Sequence, residues 1–182
     1  MIRLENLSKS YPDDNLFSNV NLSLKHGMRA GLVGPNGTGK TTLLRIMLGK
    51  ETPDSGGVQV EKSTSIGYLA QDIVAGSHRS ILEAVLVAYP EVRHLERKML
   101  SFSEAIAGDP ENDTLVKELG HIQNRFEALD GWMLEEKAKK ILSGLGFTDD
   151  KFTEPMNVFS GGWRMRVALA AILLQEPHIL FL

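Results

Sequence analysis

The chain has 182 residues, 42% hydrophobic and 24% charged, with a formal net charge of −3. That length supports a domain with its own core, and the charge supplies no basic surface for non-specific nucleic-acid binding. The absence of cysteine excludes disulfides, thiolate metal sites and thiol nucleophiles, and fits a cytoplasmic protein.

The first residues, MIRLENLSKSYPDD, contain no apolar leader and read as a mature start. Ile2 and Leu4 alternate with polar neighbours, as do Val20, Leu22 and Leu24, which predicts half-buried strands. A short apolar run at 30–33 reads as a strand leading into a glycine-rich loop. Residues 41–48 then predict a helix stopped by Gly49. PDSGG at 53–57 is a turn, and Val58, Val60 and the run 66–69 read as further strands.

From residue 80 the pattern turns helical. Ser80 and Glu83 have capping-box spacing for a helix through Tyr89, and Pro90 suits the first position of the next. Val92, Leu95, Met99, Phe102 and Ile106 form one stripe; Leu115, Leu119, Ile122, Phe126 and Leu129 form a second, with Gly108-Asp109-Pro110 between them. Two heptad-like stripes around a tight break predict an antiparallel helical hairpin projecting roughly 24 Å. Two readings stay open: an arm that touches a large partner, or a helical subdomain resting on its own core. Residues 90–130 carry five Lys/Arg and nine Asp/Glu, which argues against gripping RNA along the whole length.

The remaining elements are a helix near 133–142, a loop with Pro155 and Asn157, a helix from Trp163 to Leu174 opened by Ser160-Gly161-Gly162, and a terminal apolar run at 179–182. That run reads as a strand buried on both faces. The longest wholly apolar stretch, 167–174, is too short to span a bilayer, so action at a membrane would go through a partner.

Gly34-Pro35-Asn36-Gly37-Thr38-Gly39-Lys40-Thr41 matches the phosphate-binding pattern GxxxxGK[ST]. Glycines let successive backbone N–H groups converge on an anion, and the following helix start adds partial positive charge. In that arrangement Lys40 reaches the β- and γ-phosphates and the Thr41 hydroxyl ligates Mg²⁺. The plainer alternative is a structural strand–turn–helix junction with an incidental lysine. No Asn-Lys-x-Asp sequence signals guanine recognition. Tyr11, in a loop expected after the first strand, is a candidate for stacking on a base; by itself it reads more often as a half-buried packing residue.

A second motif follows at 159–166, FSGGWRMR. Its serine and glycines at a helix start form another potential anion site. Together the two motifs resemble an ATP-binding-cassette ATPase, and the WRMR ending resembles the ABC-F subfamily. The resemblance covers nearly the whole chain. It implies an α/β fold: a P-loop NTPase cassette with an antiparallel β subdomain and a helical subdomain carrying the hairpin arm. The expected divisions are residues 1–85 for the β subdomain and P-loop core, 86–134 for the arm, and 135–182 for the signature helix and final strand.

The resemblance also implies residue roles. Tyr11 matches the adenine-stacking position, Thr42 extends the phosphate loop, and Gln71 matches a glutamine that contacts Mg²⁺ together with Thr41. Ser160, Gly161, Gly162 and Trp163 would contact the γ-phosphate of ATP bound to a second cassette. Phe159 and Trp163 depart from the usual Leu and Gln; the tryptophan is an ABC-F feature. The strand at 179–182 looks like the one before the Walker B aspartate. That Asp, the catalytic Glu and a later histidine would follow Leu182, so no catalytic residue is expected within the 182 residues. They are expected to bind ATP and Mg²⁺ at most, to place the last strand deep in the sheet beside the glycine-loop strand, and to self-associate. The resemblance implies ATP hydrolysis in a two-cassette protein that acts on the ribosome. Alternatives are the nucleotide-binding subunit of a membrane transporter and a non-catalytic ATP-binding regulator.

Overall fold

Ile2, Leu4 and Leu7 are fully buried and start the first core. In the computed structural model, which describes residues 1–12, 14–70 and 77–182, they lie on β1 (Ile2–Tyr11). β1 is the centre of an antiparallel sheet, flanked by β2 (Asp14–Leu24) and β3 (Ser55–Val60) in the order β2-β1-β3. Strict alternation would bury Asn6. Instead Asn6 takes φ 48°, the register slips between Leu4 and Leu7, and Leu7 turns inward. Gly56 sits opposite with φ 77°, and a Cβ there would lie 2.3 Å from the Glu5 and Asn6 carbonyl oxygens. The bulge therefore requires a glycine on the neighbouring strand.

The helix α1 (Lys40–Met47) presents Leu43, Ile46 and Met47 to this core. Its end is a paired-carbonyl stop: the Gly49 N–H donates to the Ile46 carbonyl at 2.9 Å and the Lys50 N–H to that of Arg45 at 2.8 Å, with Gly49 left-handed. β4 (Ile66–Tyr68) runs parallel to β5 (Ile179–Phe181), with Ile66, Gly67 and Tyr68 opposite Ile179, Leu180 and Phe181. Ser65 and His178 secure this register reciprocally. The Ser65 hydroxyl meets His178 Nδ1 at 2.6 Å, and the His178 N–H donates to Ser65 Oγ at 3.1 Å.

One strand expectation fails here. Residues 30–33 form no ladder among the described residues, and Val33 is 90% exposed. The terminal strand accordingly lies beside β4, not beside the glycine-loop run. An apolar run signals that burial is favourable, but a strand also needs a hydrogen-bonding partner, and Gly31 weakens this one further.

These elements, Met1–Tyr68 with Pro177–Leu182, form one compact unit; Leu69–Glu176 form another. The second unit contains α2 (Ile81–Leu86), α3 (Pro90–Gly108), α4 (Asp113–Ala128), α5 (Gly131–Gly144) and α6 (Gly161–Leu174), with two 3₁₀ turns between α5 and α6. The α2 start is a full capping box. The Ser80 N–H donates to Glu83 Oε2 at 2.9 Å, and the Glu83 N–H donates to Ser80 Oγ at 3.2 Å.

α3 and α4 form the expected hairpin. All ten stripe residues are buried or half-buried, most deeply at the base, where Val92, Leu95, Ile122 and Phe126 join the core. Arg125 on α4 clasps Glu91 on α3 at 2.7 Å. At the turn into α5, a Cβ on Gly131 would meet the Phe126 ring at 2.6 Å, so the glycine permits the close approach. Val85, Leu134, Ala138, Leu142, Val167 and Ala170 complete the centre. Among the described residues, no helix is long and apolar enough to cross a membrane.

Candidate functional site

The loop at 34–41 closes on itself through Lys40. Its Nζ donates to the carbonyl oxygens of Gly34 at 2.7 Å and Pro35 at 2.5 Å, and Thr38 Oγ1 donates to Pro35 at 2.9 Å. Gly37 and Gly39 are left-handed, with φ 85° and 81°. Gly39 is also sterically required, since a Cβ would lie 3.0 Å from Leu16 Cβ and 3.1 Å from the Phe17 ring. Among the described residues, no backbone N–H from Gly37 to Thr41 donates to a protein acceptor. The first turn of α1 holds no acidic residue and no side-chain cap. The loop thus presents successive free donors and a cation at a helix start of uncompensated positive polarity.

Tyr11 ends β1, and its hydroxyl donates to Glu51 Oε1 at 2.6 Å. That hydrogen bond raises the phenol above its ordinary value, while the Thr42 side chain beside it acts in the opposite sense. Thr42 belongs to α1, so Tyr11 and the loop's helix share one neighbourhood. Lys9 Nζ lies 3.9 Å from Glu51 and 3.3 Å from Asp54, and donates to the Thr52 carbonyl at 2.9 Å. The Ser10 N–H and hydroxyl donate to Asp54 at 2.7 and 2.9 Å, which, with Lys9, hold its carboxyl below the usual range. Glu51, Lys9 and Asp54 escape sequence reasoning: they carry no motif, and their partners lie about forty residues away in the chain.

Thr41 is exposed in the first turn of α1, where its hydroxyl suits a hard cation. Gln71 lies outside the described residues. Among the described residues, no cluster of three or more His, Cys, Asp or Glu could form a protein cage for a metal. One hydroxyl beside a loop of free N–H groups is compatible with Mg²⁺, which keeps waters and takes most of its ligands from outside the protein.

In the second unit, Ser160 holds the N-cap position of α6 in extended conformation but makes no side-chain cap hydrogen bond. Packing fixes this helix start instead. Phe147 meets Phe159 edge-on at 5.8 Å and Trp163 at 4.8 Å, so one buried ring grips both sides of Ser160-Gly161-Gly162. The Arg166 guanidinium lies 4.3 Å over the Trp163 ring, and Nη1 donates to the Leu145 carbonyl at 3.2 Å. Gly161 and Gly162 have no left-handed φ, and a Cβ on either would meet nothing within 4 Å. Folding therefore does not demand glycine there. The first turn of α6 also lacks an acidic residue. Phe147, between two helices and without a motif of its own, gave no sequence signal of this role.

The family described as "ABC transporter" matches residues 17–182. The chain is 34% identical over 186 residues to ABC transporter F family member 5 of Arabidopsis thaliana, covering all of this chain and 27% of that one. It is 34% identical over 182 residues to the ABC transporter ATP-binding protein YfmR of Bacillus subtilis, covering 100% of this chain and 29% of YfmR. The chain thus spans between a quarter and a third of the length of these relatives. Among solved structures it resembles the ATP-binding cassette MJ0796, a dimer in a post-hydrolysis state bound to ADP and Pi, with a TM-score of 0.61 at 22% identity, over 99% of this chain and 72% of that one. The likeness shows that the fold is that of an ATP-binding cassette.

Proposed function

The chain belongs to the ABC transporter family of ATP-binding cassettes, and on that premise we propose that its loop at 34–41 holds the triphosphate of ATP. The observation that carries the reading is the row of free N–H groups from Gly37 to Thr41 above a helix start without an acid. Lys40 uses two of its three donors on loop carbonyls and has a third for a phosphate oxygen. Tyr11 offers a ring to the base. Thr41 and Gln71 would ligate Mg²⁺, which when bound offsets the negative charge of the phosphates.

Ser160, Gly161, Gly162 and Trp163 serve a nucleotide held by a second cassette. Two glycines that folding does not require leave the backbone bare for close approach by a phosphate. In a protein of the relatives' length, paired cassettes close on ATP and reopen on hydrolysis. The helical hairpin and the F-family relatives favour a role at the ribosome in translation. The 182 residues by themselves hold ATP without turning it over, because the carboxylates that orient the attacking water in the family have no counterpart in them.

Titration calorimetry with Mg-ATP tests the site. Binding is expected, and Lys40→Ala should weaken it roughly 10- to 100-fold through loss of a charged donor. Unchanged affinity in that variant refutes the assignment, and steady phosphate release by the 182 residues refutes the lack of turnover. Co-sedimentation with ribosomes of a longer, hydrolysis-defective form tests the translation role.

A further inference from the structure

We infer that Glu51 is a positioning residue for the nucleotide's base: it fixes the Tyr11 ring by its hydroxyl so that one ring face stands ready for a purine. The inference rests on the reading that Tyr11 stacks on the base. The geometry has three parts. First, the phenol donates to Glu51 Oε1 at 2.6 Å, which anchors the tip of the ring to the loop between α1 and β3. Second, Glu51 is itself restrained. Lys9 stands 3.9 Å from its carboxylate and 5.6 Å from the Tyr11 ring centroid, and Lys9 is tied to the Thr52 carbonyl and Asp54. Third, exposure is divided sharply between anchor and ring. The Lys9 and Glu51 side chains are 14% and 20% exposed, whereas Tyr11 is 48% exposed.

An exposed tyrosine ordinarily samples several rotamers, and a ligand that stacks on it must order it. Here the side chain is ordered beforehand by covered groups, and its face remains open. Stacking reads a π-face, not a hydrogen-bonding edge, so the device serves purines as a class.

The test compares Mg-ATP with inorganic tripolyphosphate on the 182-residue chain by calorimetry, with a thermal melt on each variant. Tyr11→Ala should weaken ATP about 10-fold or more and leave tripolyphosphate unchanged. Tyr11→Phe and Glu51→Ala should each weaken ATP about 3- to 5-fold, again without affecting tripolyphosphate. The double variant Tyr11→Phe/Glu51→Ala should be no weaker than either single one, because both remove the same contact. Glu51→Gln, which keeps an acceptor oxygen, should restore most of the loss. If Tyr11→Ala lowers the ratio of ATP to tripolyphosphate affinity while Tyr11→Phe and Glu51→Ala leave it alone, the ring stacks but Glu51 does not position it. If Tyr11→Ala leaves the ratio unchanged, the stacking reading itself fails. A purely structural anchor would lower the melting temperature without moving the ratio, and Tyr11→Phe decides the matter should Glu51→Ala fail to fold.

Discussion

The starts of α1 and α6 both lack a side-chain cap and an acid in the first turn, and they are held by opposite means. The start of α1 is shaped by backbone conformation: Gly37 and Gly39 are left-handed, and Lys40 spans the loop. The start of α6 is shaped by side chains: Phe147 grips Phe159 and Trp163, and Arg166 stacks behind. The start of α2 makes the contrast sharper, because Glu83 already supplies an anion to it. A helix start becomes available to an outside anion only when the chain withholds its own acid, and the scaffold must then hold the start open in some other way.

The largest test of that contrast is Phe147→Ala. Loss of a buried ring should cost about 3–5 kcal/mol in denaturant unfolding. Amide exchange should quicken at 160–163, and a uniform loss with no local change there would dissolve the comparison. Gly39→Ala comes next. A left-handed φ of 81° and the approach of Leu16 should cost about 1–2 kcal/mol of stability and weaken Mg-ATP binding by calorimetry. Gly162→Ala should do the reverse for folding, gaining about 0.5–1 kcal/mol, since the site is open and helical. A loss of stability there would mean that Gly162 serves folding after all.

The smallest effect concerns Glu83. Hydrogen bonds from the Ser80 N–H and hydroxyl hold its carboxyl below its ordinary value of 4.5. Its contribution is therefore present above about 4.5 and is lost as pH falls through the lowered folded-state value. Melting temperatures between pH 7 and pH 3 should fall less for Glu83→Gln than for the parent, and equal slopes would remove the self-supplied anion from the comparison.

What the sequence made legible follows the range of the interactions. The glycine loop is local: its glycines, lysine and threonine lie within eight residues, and Lys40 closes it onto the carbonyls of Gly34 and Pro35. The hairpin is legible because each stripe names its own buried face. The Ser80–Glu83 box spans three residues and is formed as expected. The rest depends on neighbours that a linear reading does not supply. The Asn6 bulge needs Gly56 across the sheet, Tyr11 needs Glu51, and the grip on Ser160-Gly161-Gly162 needs Phe147 from the preceding connection. The run at 30–33 errs in the same way: its apolarity is legible, but its pairing is not.

The proposed ATP site depends on donors from Gly37 to Thr41 receiving a triphosphate. Amide chemical shifts on addition of Mg-ATP measure this residue by residue. Large downfield shifts should appear at Gly37, Thr38, Gly39, Lys40 and Thr41, with none at Ser80 and Ile81, whose N–H groups already donate to Glu83 Oε2 and to the Glu154 carbonyl. Equal perturbation at both starts, or none at 37–41 under saturating ATP, would contradict it.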